Sequence, residues 1–96
     1  MKEGVENYYL LLDLHGPDGT YQSLHELLNK LRAEKLDYGF PVWCFVGKVN
    51  SHEMYRTQFD SVLPPVSIYQ PEVRYCFLLM NSTGYTSYGR YEPAEK

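Results

Sequence analysis

Asp13, His15 and Asp18 fall within six residues, at the end of an apolar run and inside the turn Gly16-Pro17-Asp18-Gly19 that follows it. A carboxylate in that place has two readings. It can hold Mg²⁺ together with water ligands, as phosphoryl-transfer chemistry requires, or it can accept hydrogen bonds from the amides of residues 16–19. His15 could act beside it as an acid or base, and Asp18 could complete a small polar site. Both readings of Asp13 stay open at the level of sequence. Gly19 and Thr20 introduce a helix whose free N-terminal amides suit an anion, which makes them candidate anion-binding positions. GPDG is not a phosphate loop, because it lacks the longer glycine spacing and the Lys-Ser/Thr ending.

The remaining reactive side chains point away from covalent chemistry. Cys44 and Cys76 sit in the runs VWCFV and YCFLL, where cysteine is expected as a small buried hydrophobe. With no CxxC and no nearby His pair, a zinc site is not indicated, and no disulfide is expected of an intracellular chain. Ser23, Ser51, Ser61 and Ser67 have no nucleophile-elbow context. His25 reads as a solvated helix residue, His52 as part of the first turn of a second helix, and Trp43 as core.

Nine basic and twelve acidic residues give a net charge of -3, without a Lys/Arg cluster. That balance counts against an autonomous nucleic-acid binder and suits docking on a basic protein surface. Tyrosine is the compositional outlier, with ten residues. Tyr85, Tyr88 and Tyr91, together with Arg90, are candidate interface residues, because aromatic and arginine anchors carry interface energy. The alternative is that tyrosines suit half-exposed strands. No apolar run approaches the ~20 residues of a membrane span and the N-terminus lacks a signal core, so a cytoplasmic protein without membrane contact is expected.

These side chains are positioned by elements that the pattern marks out. Asn7 to His15 is apolar on both faces for most of its length, as befits a central strand. Tyr21, Leu24, Leu27, Leu28 and Leu31 predict one helix, Tyr21 to Leu36, capped by Thr20. Val42 to Val49 reads as a second strand. Asn50 or Ser51 starts a second helix, with Asn50 and Glu53 in capping-box spacing, and Pro64-Pro65 stops it. Arg74 to Met80 and Tyr85 to Tyr91 read as two more strands around the turn Asn81-Ser82-Thr83-Gly84. The order predicted is βαβαββ in a single domain, 1–96: an α+β, ferredoxin-like open-faced sandwich with two helices on one face of a four-stranded sheet.

Through YYLLLDLHGPDGTYQSLHELLNKL, VWCFV and SHEMYRTQFDSVL the chain resembles the small ferredoxin-like CRISPR adaptation nucleases and their VapD-type ribonuclease relatives. The resemblance implies a homodimer, with Asp13 as one Mg²⁺ ligand per subunit in RNA or DNA cleavage. Small acidic phage inhibitors of bacterial defence are similar in type, being compact α/β folds. The residues themselves favour a non-enzymatic interaction module, an inhibitor or regulator without cofactor that binds another protein or a second copy of itself. The alternative is a Mg²⁺-dependent endonuclease with Asp13 as its catalytic and metal-binding residue.

Overall fold

In a computed structural model, residues 4–37, 39, 41–64 and 72–90 are described, Arg90 by its backbone. The doubly apolar run becomes β1 (Val5–His15), the middle strand of its sheet. It is followed by α1 (Gln22–Lys30), β2 (Glu34–Asp37), β3 (Pro41–Lys48), α2 (His52–Val62), β4 (Arg74–Asn81) and β5 (Gly84–Arg90). The sheet order is β2-β3-β1-β4-β5, and every neighbouring pair is antiparallel.

This overturns the four-stranded βαβαββ sandwich: there are five strands, in the order βαββαββ. The error lies at the end of the first helix. α1 stops at Lys30, and Arg32 takes the left-handed conformation, with φ 57°. The Ala33 amide donates to the Leu28 carbonyl at 2.9 Å and the Arg32 amide to that of Asn29 at 3.0 Å, the two bonds of a Schellman closure. Glycine normally marks this position, so an arginine there hides the stop. Leu36, assigned by periodicity to the helix, instead pairs with Val42 in the edge strand β2.

The second helix ends for the reason its prolines give. Leu63 is extended, at φ -86° and ψ 153°, as a residue preceding proline must be. Its start differs from the capping box: Ser51 is the N-cap, without a side-chain cap bond, and Asn50 is left-handed at φ 55°.

Period-two alternation sends Tyr8, Leu10 and Leu12 of β1 to one face of the sheet. They join Phe45, Phe77 and Leu79 beneath Leu24 and Leu28 of α1 and Tyr55 and Phe59 of α2 in one buried cluster. Aromatic contact knits its centre, with Tyr8 stacked on Phe45 at 5.2 Å and edge-on to Tyr55 at 4.8 Å. A Cβ on Gly47 would come within 2.8 Å of the Tyr55 ring, so this strand position must be glycine for α2 to sit so close. Trp43, expected in the core, is half-buried and packs against its margin.

Tyrosine hydroxyls fasten the layers. Tyr8 donates to the Lys48 carbonyl at 2.7 Å and accepts from the Ser51 amide at 3.0 Å, while Tyr55 accepts from the Lys48 amide at 3.1 Å. Tyr21 reaches the carbonyls of His15 and Arg74 at 2.8 and 3.1 Å, and Tyr75 that of Pro64 at 3.3 Å. Each ring fills core volume, and each hydroxyl satisfies a backbone group where a strand meets a loop. Much of the tyrosine surplus is therefore structural.

Candidate interaction face

The odd-numbered residues of β1 point away from both helices. Strand register extends them into two rows that cross all five strands. One row runs Glu34, Cys44, Tyr9, Met80, Tyr85; the next runs Leu36, Val42, Leu11, Leu78, Ser87. Tyr85 is 72% exposed and Tyr9 37%, and Val46 beside them on β3 is 61% exposed. Leu11, Leu78 and Met80 are half-buried, and Val42 is only 5% exposed. A groove of about 490 Å³ opens along the second row, where Leu11, Leu78 and Ser87 meet Asp13, Cys76 and Pro41. The sheet thus carries a second apolar face.

Asp13 lies at one end of this face. It is inside β1, not at its end, and stands opposite Cys76. Its carboxylate meets His15 Nε2 at 3.1 Å, with both side chains exposed. Among the described residues no amide of the 16–19 turn donates to it, because the strand's alternation turns Asp13 to the open face. Asp18 is exposed in the turn. No three His, Cys, Asp or Glu side chains among the described residues are grouped to hold a metal. One carboxylate with one imidazole is not a Mg²⁺ site within a single chain.

Thr20 does not cap α1. Its hydroxyl donates to the Pro17 carbonyl at 2.6 Å inside the turn, and the helix begins later, from Tyr21, without a side-chain cap. The Gly19 carbonyl accepts from the Gln22 amide at 3.3 Å. Gly19 and Thr20 line a polar hollow with Gln22 and His25.

The four tail residues separate. Tyr85 belongs to the open face. Tyr88 faces the other way, its ring 5.3 Å from Phe77 and its hydroxyl accepting from Arg56 at 2.9 Å. The Arg90 backbone pairs with Tyr75, and Tyr91 lies outside the described residues. Neither cysteine is buried as expected: Cys76 is exposed and Cys44 half-buried, both are free, and both are on the open face. Burial, then the nearby Glu34 charge, push the Cys44 thiol up, against a lowering hydrogen bond from Tyr9. His52 reaches the Leu79 carbonyl at 3.2 Å from the start of α2.

At the opposite end of β1, Glu6 gathers three segments. It accepts from the Ser82 hydroxyl at 2.5 Å, the Asn50 amide at 2.9 Å and Asn81 Nδ2 at 3.3 Å. The Ser82 hydroxyl chiefly, with the Asn50 amide, holds its carboxyl below the ordinary carboxylate value.

Sequence reasoning missed Tyr9, Leu11, Leu78 and Met80 as a surface. The signal was present: β1 and the second half of β4 are apolar at both parities. Among the described residues both helices lie on one side of the sheet, and the other parity faces away from them. Comparison with protein-family models, curated proteins and solved structures returned no match. No helix among the described residues is long and apolar enough to cross a membrane.

Proposed function

We propose that this chain is a non-enzymatic interaction module that docks on protein through the open face of its sheet. The observation that carries this reading is the pair of rows crossing five strands, with Tyr9, Val46 and Tyr85 exposed at the surface. A contiguous exposed apolar patch marks an interaction site, and Tyr85 supplies an aromatic anchor of the kind that carries interface energy.

A photo-crosslinking amino acid at position 78 or 85 in producing cells should give covalent protein adducts, while position 30 on the outside of α1 should give none. Equal adducts from all three positions, or none from 78 and 85, would remove the face from consideration.

A second reading is favoured by one observation, the exposed Asp13–His15 pair. It predicts Mg²⁺- or Mn²⁺-dependent cleavage of single-stranded RNA or duplex DNA that Asp13→Asn abolishes without moving the thermal midpoint. An inert wild-type protein in that assay would eliminate it.

A further inference from the structure

We infer that β5 takes up an extended segment of another protein as an added strand, paired backbone to backbone along its outer edge and alternating apolar with polar side chains. The inference rests on the docking reading above and gives that reading's partner a conformation and a point of entry.

The sheet has two edges, β2 and β5, and they are built differently. Unpaired edge groups template association, so edges are ordinarily shortened, charged or interrupted by proline. β2 is defended in this way: it has four residues, is charged at every position but Leu36, and its last residue pairs with Pro41. β5 has seven residues, Gly-Tyr-Thr-Ser-Tyr-Gly-Arg, with no proline and no charge before Arg90. Its register with β4 runs one to one from the pair Asn81 and Gly84 to the pair Tyr75 and Arg90, so no bulge twists it away.

That register also decides which backbone groups are on offer. Ser82 and Thr83 form a two-residue loop between the paired Asn81 and Gly84. Such a loop closes on a hydrogen-bonded pair, and hydrogen-bonded pairs then alternate along an antiparallel ladder. Thr86 and Tyr88 therefore turn their N–H and C=O groups to β4, while Tyr85, Ser87 and Gly89 turn theirs outward. Among the described residues those outward groups have no backbone partner. An extended chain presents donors and acceptors at the matching two-residue repeat, which is what selects the occupant. Gly89 adds room, since it has no side chain to hold an approaching backbone off.

Side chains set the pattern of the segment. Partners of Tyr85 and Ser87 on an added strand share their face and lengthen the two rows of the open face. Tyr85, 72% exposed, there gains a flank for a β-branched or other apolar side chain. The partner of Tyr88 faces the other way, where α2 packs on β5 and Arg56 donates to the Tyr88 hydroxyl at 2.9 Å. A polar side chain suits that position, because the half-buried guanidinium keeps N–H groups that Tyr88 and Glu53 do not use.

Amide exchange of the full chain, resolved by residue, tests this with an end-blocked peptide of alternating valine and threonine at millimolar concentration. In the free protein Thr86 and Tyr88 should be protected, while Tyr85, Ser87 and Gly89 exchange freely. The peptide should slow those last three several-fold, and the same peptide N-methylated throughout should not. Ser87→Pro removes an outward amide without touching the β4 ladder, so it should abolish the slowing at Tyr85 and Gly89 with circular dichroism unchanged. Gly89→Pro makes the same test at Tyr85 and Ser87 if Ser87→Pro fails to fold. No slowing by the peptide, equal slowing by its N-methylated form, or outward amides already protected in the dilute free protein would overturn the proposal. Slowing that rises with protein concentration alone would also overturn it, in favour of a second copy on the edge. Crosslinks from positions 78 and 85 in cells without slowed edge amides would remove the added strand and leave the docking reading standing.

Discussion

The two faces of one sheet, built from alternate residues of the same strands, have similar composition and different fates. Beneath the helices, Tyr8, Leu10 and Leu12 are buried, and the hydroxyls of Tyr8 and Tyr55 are spent on backbone groups at the β3–α2 junction. On the open side, Tyr9, Leu11 and Leu78 meet solvent to different degrees, and Tyr85 is largely exposed. Apolar content alone therefore does not separate core from surface in this chain. The separation comes from which parity the helices cover and from which tyrosine hydroxyls find a backbone partner.

The contrast breaks most readily at its centre. Phe59 of α2, 1% exposed against the sheet, should cost about 3–5 kcal/mol when replaced by alanine. Leu78→Ser on the open face should cost under about 1 kcal/mol, since its side chain is half-exposed. Urea midpoints of the two variants check this, and comparable losses would mean that the open face is as much a core as the covered one.

A smaller effect tests the hydroxyls. Tyr8→Phe leaves the Lys48 carbonyl and the Ser51 amide without their partner and should lose about 1–3 kcal/mol. Tyr85→Phe should stay within about 0.5 kcal/mol, as substitutions away from such features do. If both are silent in thermal melts, the fastening role of the tyrosines is wrong.

Smaller again, and of opposite sign, is Arg32→Gly. It relieves a left-handed residue at the end of α1 and should stabilise by about 0.5–1 kcal/mol, a rise in thermal midpoint of a few degrees. A loss would mean that the helix layer does not depend on how α1 closes.

The slightest effect belongs to Glu6, at the polar end of β1. Its carboxyl is lowered in the folded state from an ordinary value of 4.5, so the unfolded chain binds the proton more readily. The stabilisation is fully present above about pH 4.5 and is lost as pH falls through the lower folded value. Glu6→Gln should flatten that acid limb in urea midpoints taken from pH 7 down to pH 3, and an unchanged slope would count against the Ser82 contact.

Some of this structure is written in local sequence. The two-sided apolarity of residues 8–12 places β1 at the centre of the sheet, Leu63 extends because Pro64 follows, and Asn81 to Gly84 turns β4 into β5. Local rules sufficed there because steric limits at proline and period-two alternation act within a few residues. They failed at Arg32, where a left-handed position is held by closure bonds and not by glycine, and so they missed β2.

Sequence alone determined which residues share a face, because alternation along an extended strand is fixed by backbone geometry. Only the tertiary structure decided which face the helices cover, because both parities of β1 are apolar and the choice depends on where α1 ends and α2 lands. That choice put Tyr8 in the core and Tyr9 at the surface, and left the Asp13–His15 pair and the two rows on the side the helices do not cover.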